Sequence, residues 1–475
     1  MKRPATSLKP LEHTRLHALC LTLLVAVLAA GVVPPSASAQ TFTSLLSFNG
    51  ANGSIPLNAV LVQGLDGNLY GTTSAGGAHG QGTVFKINPS GTLTTLYNFC
   101  ANSNCTDGSA PQGGLVLGTD GNLYGMTFSG GARGTGTVYK ITPAGKLTTL
   151  YSFDFNDGYQ PTGALVQGTD GNFYGTTSFG GAHLLGNVFK MTPQGAVTNL
   201  HSFDDSDGSV PESALIQGSD GNFYGTTYDG GSSGGYGTVF KITPSGVLTT
   251  LHVFNETDGA KITDGLVEAS DGNFYGTASY SGSIGFGTAY EITPAGVLTV
   301  LNDFNGTTDG STPNMLLLGT DGNFYSTTIS AGANDSGTIF EMTPEGTLTV
   351  LHNFTRADGA DPFAGPTQGT DGNFYGTTAF GGTDRDGTVF RLEMGLGPFV
   401  KTVPVAGKVG TSVKILGTNL TGATSVTFNG SAVAFTVVSA TEITTTVPVS
   451  ATSGSVDVTT PERKLTSNVA FQVTQ

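Results

Sequence analysis

The sequence predicts an all-β protein: a seven-bladed β-propeller of four-stranded blades, followed by a β-sandwich. Three observations carry this. An Asp-Gly-Asn string recurs seven times, with its Asp at Asp66, Asp120, Asp170, Asp220, Asp271, Asp321 and Asp371, at spacings of 54, 50, 50, 51, 50 and 50. Such a period marks a propeller or a solenoid, because each repeat buries its apolar face only against a neighbour. Composition agrees: 72 Gly, no Trp and 11% charged residues describe short strands joined by tight turns. The two ends of the repeat array are complementary, which selects a closed ring over an open stack.

Residues 1–39 read as an export signal, with basic Lys2, Arg3, Lys9 and Arg15, an apolar run from Leu16 to Val33, and Ala37-Ser38-Ala39 before Gln40. The run is long enough to span a bilayer, but the small residues after Pro34-Pro35 favour cleavage. Of the 19 Lys and Arg and 34 Asp and Glu in the chain, cleavage leaves 15 and 33, a net charge of −18. That balance repels nucleic acid and anionic membranes and excludes both as partners. No later segment is apolar enough to span a bilayer, and no hydrophobic tail precedes Gln475. The expected location is extracellular or at the cell surface.

Residues 40–394 hold the repeats. Each contains four strand-like pieces, shown in the third copy by GALVQG, NFYGTTS, NVFKMT and AVTNLHSF. Asp-Gly joins the first two, a hairpin signal in which both turn positions take φ > 0. A T-P-x-G turn such as Thr243-Pro244-Ser245-Gly246 joins the third and fourth. The seventh copy ends after Gly387-Thr388-Val389-Phe390-Arg391-Leu392 without a fourth strand, while Phe42 to Phe48 matches Leu93 to Phe99, the fourth strand of the first copy. Pairing the N-terminal strand into the seventh blade leaves no exposed edge. In that ring the first strand of each copy lines the axis and the fourth lies outermost. The recurrent Tyr (Tyr70 to Tyr375) and the Phe ending strand four (Phe48 to Phe354) are then packing residues, since a position repeated in every blade defines no unique site.

The string G-T-D-G-N-F-Y-G-T-T-x-x-G-G, followed by G-T-V-F-K-I-T-P-x-G-x-L-T-T-L, resembles the Gloeo/Verruco (GloVer) tandem repeat of exported bacterial proteins, over residues 41–394. That family has no assigned reaction, so the resemblance implies location rather than activity. Its members carry varied C-terminal surface anchors, and this chain shows none. Residues 395–475 begin with the linker-like Gly395-Leu396-Gly397-Pro398 and continue as short alternating runs. Gly417-Thr418-Asn419-Leu420 and Ala423 to Gly430 resemble the IPT/TIG immunoglobulin-like family. Pro461-Glu462-Arg463-Lys464 departs from its usual Gly-rich turn. The resemblance implies a non-catalytic sandwich used as a spacer, adhesion or carbohydrate-associated module.

In such a ring the Asp-Gly and T-P-x-G turns share one face and are nearly constant. The other face carries unlike loops, from SAGGAHGQG in the first copy to AFGGTDRDG in the seventh. Variation on a fixed scaffold is where specificity sits. Phe128, Phe179, Tyr228, Tyr236, Tyr280, Phe286 and Phe380 lie in these loops, either stacking on sugar rings or packing between loops. Cys100 and Cys105 are expected to form a disulfide there, with no Cys or His at metal-ligand spacing beside them. Asp154, Asn156 and Asp157, with Asp204 and Asp207, offer calcium-like oxygen clusters before a Gly; none has the bidentate acid of an EF-hand, and turn formation explains them equally. No other cofactor is implied.

At the start of the innermost strand, Glu212 and Asp264 of adjacent blades break the symmetry. Two acids near the axis could perform glycoside chemistry or hold a cation, or be solvated rim residues. No Ser-His-Asp order or phosphate loop accompanies them. The sequence therefore predicts a non-enzymatic surface or extracellular scaffold for a glycan or a cell-surface protein. A secreted glycoside hydrolase or lyase and a purely structural envelope protein are the alternatives.

Overall fold

In the computed structural model, which describes residues 40–231 and 234–474, each Asp-Gly-Asn string closes a hairpin. The leader assigned to residues 1–39 lies outside the described residues. The turn differs from the expected one. The Gly67 N–H donates to Gly64 O at 3.0 Å and the Gly64 N–H to Asn68 O at 2.9 Å, a type I turn followed by a bulge. Left-handed backbone is confined to Gly67, at φ +78°. Asp66 acts through its side chain instead: Oδ1 accepts the Asn68 N–H at 3.2 Å, and Oδ2 accepts Asn68 Nδ2 at 2.6 Å and Tyr70 Oη at 2.8 Å. A short acceptor that ties its own turn favours this geometry. The Tyr to Asp bond recurs in the other six copies.

The strands build antiparallel sheets in chain order, the first from Val62–Gln63, Leu69–Thr73, Thr83–Ile87 and Leu93–Asn98. Among the described residues seven such sheets follow one another, the sixth with an additional strand at Ser311–Pro313. In the seventh, the fourth strand is Thr41–Ser47, paired with Thr388–Glu393 in a register that sets Thr41 opposite Glu393 and Ser47 opposite Thr388. The first strand of each sheet is shorter than its apolar run, only Val166–Gln167 in the third. Crowding explains this. A Cβ on Gly113 would stand 2.5 Å from Gly163 O, and one on Gly163 2.5 Å from Ser213 O. These segments touch the neighbouring sheet rather than extending a ladder.

Neighbouring sheets pack through rings, as the recurrent aromatics predict. Phe99 meets Tyr139 of the next sheet edge-on at 5.2 Å, and Phe48 meets Phe85 at 5.3 Å. Tyr174 stacks on Phe223 at 3.9 Å and Tyr224 on Phe274 at 4.0 Å. Aromatic pairs in these geometries contribute about 0.5–1.5 kcal/mol beyond area burial. The cluster of Phe48, Leu61, Leu69, Phe85, Ile87, Tyr375 and Val389 joins the first sheet to the seventh.

Residues 398–474 form two four-stranded sheets, in orders that place Ser412–Leu416 beside Glu442–Thr446 and Ser425–Phe428 beside Val456–Thr459, and a short parallel pair of Ala406–Gly407 with Gln472–Val473. Val413, Ile415 and Ile443 of one share an apolar cluster with Val426, Phe428 and Val458 of the other. This module docks on the Asp-Gly turns. Thr441 Oγ1 donates to Leu65 O at 2.8 Å, Lys401 Nζ donates to Gln368 O, and the Phe399 N–H donates to Thr370 O at 3.0 Å. Gly395 to Pro398, expected as a linker, lies against the seventh sheet: Leu396 joins its apolar cluster, and a Cβ on Gly372 would stand 2.2 Å from Leu396 O.

Candidate functional site

With the C-terminal module on the Asp-Gly turns, the unlike loops occupy the opposite ends of the strands. They expose apolar side chains: Phe155 is 58% accessible, Tyr280 48%, Phe286 41% and Phe380 39%. Leu184 and Ile284 are also exposed. The remaining ring candidates are half-buried and held by protein contacts. Phe179 stacks on Tyr159 at 5.3 Å, Tyr236 Oη donates to Glu256 Oε1 at 2.7 Å, and the Lys261 ammonium stands 4.9 Å from the Tyr228 ring. Phe128 is half-buried at the same level of the second sheet. Phe286 packs on Gly306, where a Cβ would approach its ring to 2.6 Å. Of the anticipated rings Tyr280 is the most exposed. The Cys100–Cys105 disulfide closes its loop on this face.

The loops between sheets use their carboxylates as turn acceptors. Asp154 Oδ1 accepts the Asn156 N–H at 2.8 Å, and Asp157 Oδ1 accepts the Asp154 N–H at 2.7 Å while Oδ2 accepts Tyr151 Oη. In the next loop Asp207 Oδ1 accepts the Asp204 N–H at 3.1 Å and Oδ2 lies 2.7 Å from His201 Nε2. N–H donors take the lone pairs that calcium would need. Among the described residues there is no group of three or more His, Cys, Asp or Glu able to hold a metal ion. The same arrangement explains the His of strand four: His252 lies 3.0 Å from Asp258 and His352 3.2 Å from Asp358.

Glu212 and Asp264 both line a cavity of ≈60 Å³ to which all seven repeats contribute, together with Asn58, Thr162, Thr263 and Phe363. Asp264, half-buried, stands where the other copies have Ala, Gly, Ser or Asn. Burial raises its carboxyl to about 6, against the pull of the Thr263 hydroxyl and the Met315 N–H. Burial also raises Glu212, helped by the charges of Asp229 and Asp264. The Thr263 hydroxyl donates to Asp264 Oδ2 at 2.8 Å. The spacing of the repeat sets these two acids at equivalent places in adjacent copies, and both line this cavity. The cavity is far below the ~300 Å³ at which small-molecule pockets begin.

A larger hollow of ≈590 Å³ lies between the sixth and seventh sheets on the variable face. Phe380 forms one side; Arg356, Arg385, Asp335, Asp361 and Thr383 complete the polar lining. Of these only Phe380 was anticipated. The available signal was that no other repeat places a cation at the positions of Arg356 or Arg385. A third hollow, of ≈420 Å³, separates Val116, Val166 and Gln217 from Val405 and Val469 of the C-terminal module.

These features define an all-β tandem-repeat protein with one face of near-identical turns and another of unlike loops. The chain belongs to the Gloeobacter/Verrucomicrobia repeat family, whose model matches residues 32–235 and 213–437. No curated protein matches it. Among solved structures it is similar to the extracellular domain of a hybrid two-component system protein from B. thetaiotaomicron, at 12% identity and a TM-score of 0.49, covering 74% of this chain and 39% of that one. A structure assigned as a gluconolactonase matches at 12% identity and a TM-score of 0.39, covering 76% of this chain and 94% of that one. Among the described residues no helix is long and apolar enough to cross a membrane.

Proposed function

We propose that the protein is an exported, non-enzymatic binding scaffold that meets a carbohydrate with its variable-loop face. In this reading the seven sheets are the blades of a propeller closed by the N-terminal strand, and the C-terminal module is an IPT/TIG-like immunoglobulin sandwich. The observation that carries it is the division of the surface. The docked module covers constant turns, while Phe155, Tyr280, Phe286 and Phe380 stay exposed on unlike loops. Exposed rings on a rigid scaffold suit the apolar faces of sugars. The leader at residues 1–39 and the Cys100–Cys105 disulfide support export.

The raised carboxyls of Glu212 and Asp264 favour a second reading, a secreted carbohydrate-active enzyme. The small volume around them weighs against it. A glycan array probed with the exported chain, beside a polysaccharide-degradation screen of Glu212→Ala/Asp264→Ala, separates the two. Binding that survives the double substitution, without product release from either protein, supports the scaffold. Product release abolished by the double substitution supports the enzyme. No binding on the array leaves a purely structural envelope role.

A further inference from the structure

The hollow between the sixth and seventh sheets differs in kind from the rest of the variable face. The chain after residue 39 is strongly acidic and holds five arginines, Arg133, Arg356, Arg385, Arg391 and Arg463, yet two of them line this one cavity. Arg356 comes from the loop leading into the seventh sheet and Arg385 from the loop between that sheet's second and third strands. The matching positions elsewhere carry Phe155, Asp205 and Glu256 for the first, and Gly80, Gly134, Leu184, Gly285 and Asp335 for the second. Hairpin or blade geometry therefore does not call for a cation at either place. Both arginines are exposed, and neither guanidinium makes an ion pair among the described residues.

The other lining groups supply what a guanidinium lacks. Phe380 offers an apolar ring face, 39% accessible. Asp335 and Asp361 offer acceptors, and Thr383 a hydroxyl. Burial raises the Asp361 carboxyl, with Arg356 opposing and Asp335 adding to the shift, so these three charges lie within electrostatic reach of one another. The volume of ≈590 Å³ falls within the ~300–1,000 Å³ of small-molecule sites.

We propose that this cavity binds a uronic acid unit of an acidic polysaccharide, with the sugar ring against Phe380, its carboxylate on Arg356 and Arg385, and its hydroxyls on Asp335 and Asp361. A guanidinium recognises a planar carboxylate through paired charge-assisted N–H donors, whereas a neutral hexose offers it only weaker hydroxyl acceptors. The aspartates accept from ring hydroxyls, which separates a sugar acid from a simple anion. This assignment rests on the carbohydrate-scaffold reading and narrows it to one site and one sugar class.

The test is calorimetric titration of the exported chain with trimers of galacturonate, mannuronate and guluronate, with their methyl esters, and with a neutral glucose trimer. At least one acid trimer binds, and its methyl ester binds at least tenfold more weakly. Arg356→Gln and Arg385→Gln each weaken the acid trimer at least tenfold while leaving the melting transition unchanged, because both side chains are exposed. Phe380→Ala weakens acid and ester alike. An ester that binds as well as the acid, or both arginine variants binding as the wild type, overturns the assignment. So does binding of the neutral trimer alone, which leaves the carbohydrate scaffold standing. Failure of every glycan, here and on the array, overturns both.

Discussion

The Thr370 N–H donates to Gln63 Oε1 at 3.0 Å across 307 residues of chain. The same bond joins Thr119 to Gln167 and Thr169 to Gln217, in each case across 48 residues. The junction of the seventh sheet with the first thus uses the same side-chain bond as the junctions of the second with the third and the third with the fourth. Phe48 completes it, fully buried against Phe85.

Removing residues 41–48 is therefore expected to lower the stability of the whole ring, and Phe48→Ala to cost about 3–5 kcal/mol as a large-to-small change in a packed core. Chemical denaturation followed by tyrosine fluorescence measures both. A transition unchanged by the deletion would rule out closure by the N-terminal strand.

One bond fails at this junction. The Thr after the strand-two Gly ties several sheets to the next: Thr176 Oγ1 donates to Ser213 O at 3.0 Å and Thr277 Oγ1 to Asn314 O at 3.0 Å. Thr377, the equivalent in the seventh sheet, has a buried hydroxyl without a partner among the described residues. Replacing an unsatisfied hydroxyl with a methyl removes a desolvation cost, whereas breaking a made bond leaves an acceptor unmatched. Thr377→Val is expected to be neutral or stabilising by up to ~1 kcal/mol, and Thr277→Val to cost ~1 kcal/mol or more. Equal losses for both in thermal melts would contradict this.

The same logic applies to Tyr139 and Tyr290, whose buried hydroxyls have no partner among the described residues and stand where five other sheets carry Phe. Tyr139→Phe and Tyr290→Phe are expected to raise the melting temperature, with burial already driving both phenols well above their usual range. A fall of several degrees for either would show that the hydroxyl has a partner.

Asp264 sets a pH dependence. Its carboxyl is raised in the folded chain to about 6, from 3.8. A raised folded value contributes stability that is fully present below the unfolded value and is lost as pH rises through the folded one. The Asp264 contribution therefore declines between about pH 4 and pH 6, by at most ~3 kcal/mol at ~1.36 kcal/mol per unit. Asp264→Asn removes that decline, so the variant gains on the wild type at pH 7 and not at pH 4. Melting temperatures of the pair across this window measure the difference; a constant offset would place the carboxyl in contact with solvent.

Much of this fold was legible because each repeat states its packing in side chains. Tyr174 and Phe223 recur at the period, and recurrence is what sequence reports well. The role of Asp170 was misassigned for a related reason. Asp-Gly signals a tight hairpin, but whether Asp serves by its backbone or its carboxylate depends on the Asn172 and Tyr174 bonds, which form only in the folded turn. The axial acids were found because they break a regular series. Arg356 and Arg385 stand 29 positions apart in loops of unlike wording. Only the folding of two loops over Phe380 makes them neighbours.

The pairing of Thr41–Ser47 with Thr388–Glu393 also imposes an order of events. Thr41–Ser47, made before any of the repeats, has no partner until nearly the last strand of the array has been made. Through that interval its row of backbone donors and acceptors is open to any other nascent chain. A pairing of such sequence separation forms late, and until it does the open edge of residues 41–48 is exposed to edge-to-edge association.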